Sequence, residues 1–148
     1  MKNKKVFNGV GGIYRYHKLK QPSGKSWRII WKPICASTEI ELSKWIDEKP
    51  VERDQPKAIF ASSQKFGKGQ LGRNWHSPKG GIWVSAAINR KGSDTNNSEL
   101  YGLAVALAMV ERLERIGVDV KIKWPNDLLV DGKKLAGILP KLFFYMIV

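Results

Sequence analysis

The dipeptide Asp131-Gly132 restricts the possible folds of this chain more than any other feature. It separates the apolar run Leu128–Val130 from the segment Lys133–Leu139. A two-residue turn that joins adjacent antiparallel strands needs positive φ at both central positions, which Asp and Gly tolerate well. The sequence therefore predicts a β-hairpin, with Lys134 close to its turn.

A compact group of functional residue types precedes this hairpin. The five residues from Lys123 to Asp127 read Lys-Trp-Pro-Asn-Asp, an aromatic-proline elbow followed by an amide and a carboxylate. Few structural requirements call for that mixture beside a hairpin lysine. The stretch from Lys123 to Leu139 is therefore interpreted as a functional site rather than as scaffold alone.

Length and composition indicate one ordinary globular domain. The chain has 148 residues, 43% of them apolar, with a mean hydropathy of −0.33. Its longest apolar run, Leu142–Val148, has seven residues, whereas a membrane helix needs about twenty. A single cysteine, Cys35, rules out an internal disulfide and fits a reducing compartment. We expect a cytoplasmic protein that does not span a membrane.

The net charge of +13 is unevenly distributed. Residues 1–33 contain nine Lys/Arg and no Asp/Glu, so the excess is concentrated in a leader, residues 1–25, that glycine and proline make irregular. The favoured interpretation is a solvated basic tail, and contact with RNA or an acidic partner is the alternative. Specific DNA binding is not expected.

The remaining pattern alternates strands with helices and predicts one α+β unit. A helix opens at Ser37-Thr38, where Thr38 and Glu41 form a capping-box pattern, and a longer helix covers residues 98–116 before Gly117. Strands are predicted at 26–32, 57–62, 81–88 and 118–124. The expected apolar stripes are Leu42, Trp45 and Ile46 on the first helix; Leu100, Leu103, Ala104, Leu107, Val110 and Leu113 on the second; and alternating Ile82, Val84, Ala86 and Ile88 on the third strand.

A glycine-rich and cationic loop is expected between the second and third strands. Residues 67–72 match Gly-x-Gly-x-x-Gly, but Pro78 and two glycines follow where a dinucleotide-binding fold needs a helix. P-loop and kinase signatures are absent from the sequence. Glycine amides with Lys65, Lys68 and Arg73 suit an anion, and a surface loop with solvated cations is the alternative.

Four segments together resemble the catalytic domain of biotin protein ligases, in that family's order. They are Ser37-Thr38-Glu39, the loop Gly67–Trp75, the elbow Lys123–Asp127 and the strand Lys134–Leu139. The resemblance covers about residues 27–140. It implies an α+β fold with a mixed β-sheet flanked by helices, like the biotin/lipoate protein ligase catalytic domain and similar to class II aminoacyl-tRNA synthetases.

The same resemblance implies a two-step reaction. Biotin and Mg-ATP give biotinyl-5′-AMP, and the biotinyl group then passes to a lysine of the biotin carboxyl carrier protein of acetyl-CoA carboxylase. Lys134 would be catalytic, magnesium would enter with ATP and lie beside Asp127, and no tightly bound cofactor is expected. Biotin contacts would come from Ser37, Thr38, Glu39, Gln64, Lys68, Gly69, Gln70, Lys134 and Gly137. Nucleotide contacts would come from Gly67, Lys68, Gln70, Arg73, Trp75, Asn126 and Asp127. Trp124 is expected to pack as core beneath the site, and Trp75 either contacts ligand or fills core.

The sequence departs from the family pattern at Glu39, Lys68 and Gln70, where the family carries Asn and two arginines. Residues 26–148 are expected to be an incomplete catalytic domain, truncated before the small C-terminal β-barrel domain and lacking an N-terminal DNA-binding domain. A lipoate-type ligase, and an inactive remnant or biotin-binding module of the same family, are the alternative functions.

Overall fold

The computed structural model describes residues 27–48, 55–88 and 98–141. The basic leader, most of the connection after the first helix, the linker before the second helix and the apolar run from Leu142 lie outside the described residues. Backbone contacts group the chain into two compact units, residues 1–91 and 92–148.

The described residues form an α+β fold, as predicted. In the first unit the elements are β1 (Arg28–Lys32), α1 (Thr38–Glu48), β2 (Lys57–Ala61), β3 (Gln64–Lys68), β4 (Asn74–Ser77) and β5 (Trp83–Ala87). In the second unit they are α2 (Ser98–Glu114), β6 (Lys121–Lys123), β7 (Asp127–Val130) and β8 (Lys133–Gly137).

A mixed three-stranded sheet organises the first unit. Strand β2 lies in the middle, parallel to β1 and antiparallel to β5. The predicted α1 stripe of Leu42, Trp45 and Ile46 packs against Ile59 of β2, which confirms that prediction. Burying each of these side chains contributes about 1.5–3 kcal/mol to folding. The apolar stripe thus holds the N-terminus of α1 close to the sheet.

The predicted capping box at the start of α1 is wrong. Thr38 is the first helical residue, and its hydroxyl bonds Gln64 and Ser85 instead of the helix's own backbone. The carboxylate of Glu41 pairs with Lys32 of β1, with 2.5 Å between Oε2 and Nζ. Long-range polar partners, which local spacing cannot reveal, take both side chains away from the capping geometry.

The expected inward face of β5 is also wrong. Ile82, Val84 and Ile88 are more than 45% exposed, while the alternate residues of the strand are half-buried. The half-buried side carries Ser85, whose hydroxyl meets Thr38 of α1. That hydrogen bond turns the polar side of the strand toward α1.

The glycine-rich segment is a β-hairpin rather than a loop. Strands β3 and β4 pair antiparallel, with Gly67 opposite Trp75 and Lys68 opposite Asn74. A single 3₁₀ turn, Gln70–Gly72, connects them. Residues 74–77 are extended, so the glycine motif is not followed by the helix that a dinucleotide-binding fold requires.

The second unit packs α2 against the antiparallel sheet β6-β7-β8. Its core is Ala106, Val120 and Leu128, with Val110 and Leu113 of the predicted stripe packed against it. The stripe is otherwise partly wrong: Leu100 and Leu107 are each about half exposed (56% and 49%), and Ala104 is exposed as well. Residues 103–110 of α2 are all apolar, so periodicity alone does not identify the inward face. Gly117 ends the helix at φ +84°, as predicted.

The hairpin predicted from Asp131-Gly132 is present. Asp131 has φ +49° and Gly132 has φ +72°, the positive values that the two-residue turn requires. Strands β7 and β8 pair antiparallel on either side of it. Trp124, which precedes a cis peptide bond to Pro125, is 58% exposed and is not the buried core residue that was expected.

Candidate active site

A set of hydrogen bonds centred on Gln64 connects four elements of the first unit. The Gln64 side-chain oxygen accepts from the Thr38 backbone N–H at 2.7 Å and from the Thr38 hydroxyl at 3.0 Å. Its Nε2 donates to Ser77 Oγ at 2.9 Å. The Thr38 hydroxyl also lies 2.8 Å from Ser85 Oγ, and Ser77 donates to the Trp75 carbonyl at 3.3 Å. We call these five residues the Gln64 network.

Backbone pairing places Gln64 at the start of α1. Lys65 N–H donates to the Cys35 carbonyl at 3.0 Å and Phe66 N–H to the Ala36 carbonyl at 2.8 Å. Strand β3 therefore runs alongside the segment that leads into α1. The buried residues Ser37 and Thr38 lie at the end of that segment, each 3% exposed. Two of the predicted biotin contacts, Thr38 and Gln64, are thus brought into direct contact.

Gly67 lets the two strands of the β3–β4 hairpin approach closely. A Cβ atom at this position would lie 2.6 Å from Ser77 Oγ, 2.7 Å from the Trp75 carbonyl oxygen and 3.1 Å from Gln64 Nε2. No side chain fits such distances without displacing the backbone. The glycine is therefore required for the packing of the Gln64 network, whatever else its amide contacts.

The turn of the same hairpin carries the other predicted contacts of the first unit. Gly69 N–H donates to the Arg73 carbonyl at 2.7 Å, which closes the turn. Lys68 Nζ donates to Asn74 Oδ1 at 2.8 Å. Gln70 and Arg73 are exposed, and Trp75 is half-buried, so the alternative of Trp75 as full core is not favoured. Leu71, at φ +58°, is 86% exposed.

Two ionisable groups lie next to the entrance of α1. Burial of Cys35, together with the nearby Glu41 carboxylate, raises the pKa of its thiol above the ordinary value of 9.0. Glu39, which replaces the family's asparagine, is half-buried in the first turn of α1 beside Glu41. Acidic side chains in the first turn interact favourably with the positive end of the helix dipole.

The second unit holds the predicted catalytic lysine. Lys134 Nζ lies 2.6 Å from Asp127 Oδ1, so these two predicted site residues form an ion pair. Asn126 is half-buried, and its carbonyl accepts from Ile138 N–H at 2.7 Å. Gly137 pairs with Asp127 in the β7–β8 ladder. The elbow and the strand after the hairpin are therefore joined through both backbone and side chains.

Ser77 and Ser85 belong to the site region, and the sequence analysis did not identify them. Each lies in a strand outside the matching motifs, Ser77 two residues after Trp75. No local pattern identifies them, because β4 is mostly polar and β5 is apolar on both sides of the strand. The alternation of Ile82, Val84, Ala86 and Ile88 predicts the other side of β5 as the inward one, so it does not identify Ser85.

Neither a metal cluster nor a membrane helix is found in the described part of the chain. Within residues 27–48, 55–88 and 98–141, no three His, Cys, Asp or Glu side chains are grouped to hold a metal ion. No helix in those ranges is long and apolar enough to cross a membrane.

The fold and the motifs define a class of protein ligase. The model of the biotin/lipoate A/B protein ligase family matches residues 39–142. The chain belongs to this family.

Curated relatives agree with the assignment. The chain is 38% identical over 116 residues to the bifunctional ligase/repressor BirA of Bacillus spizizenii, covering 77% of the chain and 34% of the relative. It is 37% identical over 125 residues to the bifunctional ligase/repressor BirA of Escherichia coli, covering 84% of the chain and 37% of the relative. The chain thus spans about a third of the length of these relatives.

Solved structures share the fold. Biotin protein ligase from Aquifex aeolicus, in complex with biotin and ATP, is 32% identical with a TM-score of 0.58, covering 78% of this chain and 47% of that one. Biotin acetyl coenzyme A carboxylase synthetase from Helicobacter pylori has a TM-score of 0.69 at 24% identity, covering 80% and 56%. The latter likeness supports the fold alone.

Proposed function

We propose that this chain carries the ligand-binding and catalytic residues of an ATP-dependent biotin protein ligase. The reaction joins the carboxylate of biotin to the α-phosphate of ATP, which releases pyrophosphate. A lysine amine of a carrier domain then attacks the biotinyl-5′-AMP anhydride and releases AMP. The biotin carboxyl carrier protein of acetyl-CoA carboxylase is the proposed acceptor.

The Gln64 network is the observation that favours biotin over lipoate as the substrate. The ureido group of biotin has one carbonyl acceptor and two N–H donors, whereas the dithiolane ring of lipoate has no N–H or O–H. A group of amide and hydroxyl side chains between α1 and the β3–β4 hairpin suits the former. A site with polar groups discriminates strongly against a ligand that leaves them without partners.

Lys134 supplies the charge that the first step needs. Biotin's carboxylate and the ATP phosphates repel each other, and an ammonium group placed between developing negative charges lowers the barrier. Asp127 Oδ1 lies 2.6 Å from that ammonium. Because an anionic substrate competes for the same ammonium, we propose that substrate binding transfers Lys134 from Asp127 to the substrate.

Magnesium enters as part of the Mg-ATP substrate. Asp127 is the predicted residue beside it, and its Oδ1 is engaged by Lys134 in this structure. The transfer of Lys134 to the substrate frees this oxygen, so the two proposals are compatible. The single cysteine fits a reducing compartment, and we propose that the protein acts in the cytoplasm.

A competition assay tests this function. The chain is incubated with Mg-ATP, an apo carrier domain and equal concentrations of labelled biotin and labelled lipoate, and the carrier is analysed by intact mass. The proposal predicts biotinyl-carrier as the main product. Lipoyl-carrier as the main product would establish the lipoate alternative, and retained biotin affinity without adenylate or product would establish a binding module.

A further inference from the structure

We propose that Ser77 and Ser85 are positioning residues that stabilise a single hydrogen-bond order in the Gln64 network, whose direction is set by backbone groups at its two ends. That order determines which atoms of the site donate to a ligand and which accept. The inference rests on the proposed function for its ligand, biotin, and on the geometry of the first unit for everything else.

The direction of the network is determined at the N-terminus of α1. The Thr38 backbone N–H can only donate, and it lies 2.7 Å from the Gln64 side-chain oxygen. The amide of Gln64 therefore directs Oε1 toward α1 and Nε2 toward Ser77. Rotating the amide by 180° would place two N–H donors against the Thr38 N–H, a repulsive arrangement.

The other end of the network is determined by a backbone carbonyl. Ser77 Oγ receives a proton from Gln64 Nε2 at 2.9 Å. The single proton of its own hydroxyl is then available to the Trp75 carbonyl at 3.3 Å, which can only accept. With Ser77 only 3% exposed, water does not compete well for these bonds. Ser77 thus links the Gln64 amide to the backbone of β4.

The hydrogen bonds in the middle of the network identify Ser85 as a donor. An amide oxygen cannot donate, so the Thr38 hydroxyl gives its only proton to Gln64 Oε1 at 3.0 Å. Ser85 must then be the donor in its 2.8 Å contact with Thr38. The order is Ser85 to Thr38 to Gln64 on one side, and Gln64 to Ser77 to Trp75 on the other.

This order leaves a defined set of groups for a ligand. Among the described residues, one Nε2 proton of Gln64 and the lone pairs of Ser85 are not used by the network. One amide donor beside hydroxyl acceptors complements the carbonyl and the N–H groups of a cyclic urea. Removing Ser77 leaves the Gln64 amide held only from the Thr38 side, and removing Ser85 takes away both the donor to Thr38 and the acceptors offered to the ligand. Either change weakens that complementarity without removing a group that touches the reacting atoms.

Kinetics of serine variants test the inference. Ser77→Ala and Ser85→Ala are expected to raise the KM for biotin about tenfold, the effect of one lost hydrogen bond in a partly buried site, with little change in kcat. Ser77→Thr and Ser85→Thr keep a hydroxyl and are expected to restore most of the affinity. Ser62→Ala, a half-buried serine outside the network, is the matched control. Desthiobiotin, which retains the ureido group, should show the same tenfold rise.

A second measurement does not depend on catalysis. In ¹⁵N-labelled protein, the two Nε2 proton resonances of Gln64, assigned with Gln64→Glu, are expected to shift and to exchange faster with water in Ser77→Ala but not in Ser62→Ala. Suppose that the wild-type chain makes no biotinyl-5′-AMP, while the Nε2 protons of Gln64 still shift and exchange faster in Ser77→Ala. The proposed function then fails and the positioning role remains. If both the amide resonances and the KM of the two alanine variants match those of Ser62→Ala, the inference is overturned.

Discussion

Lys134 and Asp127 form an ion pair between neighbouring strands, with 2.6 Å between Nζ and Oδ1. They are not directly opposite in the ladder, because Lys134 pairs with Leu129 and Asp127 with Gly137. A register shift between Leu128 and Leu129 lies between the two pairs. The ion pair thus crosses the sheet diagonally and joins the elbow to the strand after the turn.

Replacing Lys134 should slow the first step strongly with little effect on folding. Lys134→Met removes the ammonium that offsets repulsion between two anions, so adenylate formation is expected to fall by about 10²–10³-fold. Lys134→Arg keeps the charge with a different shape and is expected to retain part of the rate. The neighbouring exposed Lys133 is the control. Equal losses in Lys133→Met and Lys134→Met, measured as pyrophosphate release, would contradict a specific role.

Neutralising Asp127 should change activity more than stability. The side chains of the pair are 38% and 19% exposed, so solvent screens it, and Asp127→Asn should lower the free energy of unfolding by less than about 1 kcal/mol. We expect a larger effect on the KM for Mg-ATP, because the proposed carboxylate beside the metal is lost. Urea unfolding and initial rates measure the two effects. A stability loss above about 3 kcal/mol with an unchanged KM would make Asp127 a structural residue only.

Adding a methyl group at Gly67 should destabilise the β3–β4 hairpin. Its Cβ would meet Ser77 Oγ at 2.6 Å and the Trp75 carbonyl at 2.7 Å, so Gly67→Ala is expected to cost about 1–3 kcal/mol. Gly69 provides a matched comparison, since a Cβ there meets its nearest neighbour, the Trp75 ring, at 3.4 Å. Gly69→Ala should therefore be tolerated. Thermal unfolding that ranks the two variants in the reverse order would show that the close approach does not limit this hairpin.

Cys35 gives the chain a predictable pH dependence. The unfolded thiol ionises near 9.0, whereas burial raises the pKa in the folded protein, so the folded state retains its proton to higher pH. The stabilisation of the folded state that the neutral thiol provides is fully present below pH 9 and is lost as the pH rises through the pKa of the folded protein. The difference in Tm between the wild type and Cys35→Ala should therefore narrow from pH 8 to pH 10.5. A constant or widening difference would contradict a raised pKa.

Local rules predicted much of this fold because they concern nearest neighbours. Asp131-Gly132 specifies positive φ through its own chemistry, and Gly117 ends α2 for the same reason. The stripe of Leu42, Trp45 and Ile46 is apolar on one side only, so its periodicity identified the buried face of α1.

The incorrect predictions share a physical cause, which is competition from residues distant in sequence. Thr38 has a local capping partner at Glu41, but Gln64 provides a stronger arrangement from 26 residues away. Ser85 determines which side of β5 faces α1, through a hydrogen bond to Thr38 that spans 47 residues. Neither pairing is visible in a local pattern, so Ser77 and Ser85 could only be found from the folded chain.

Biotin adenylation by this chain is tested most directly by detecting biotinyl-5′-AMP in a single turnover. The chain, biotin and Mg-ATP are mixed without a carrier, and the nucleotide products are separated and weighed by mass spectrometry. We expect biotinyl-5′-AMP with wild-type protein and with Lys133→Met, and a reduction of about 10²–10³-fold with Lys134→Met. Equal amounts of adenylate from Lys134→Met and wild type, or lipoyl-AMP in preference to biotinyl-AMP when both acids are supplied, would contradict it.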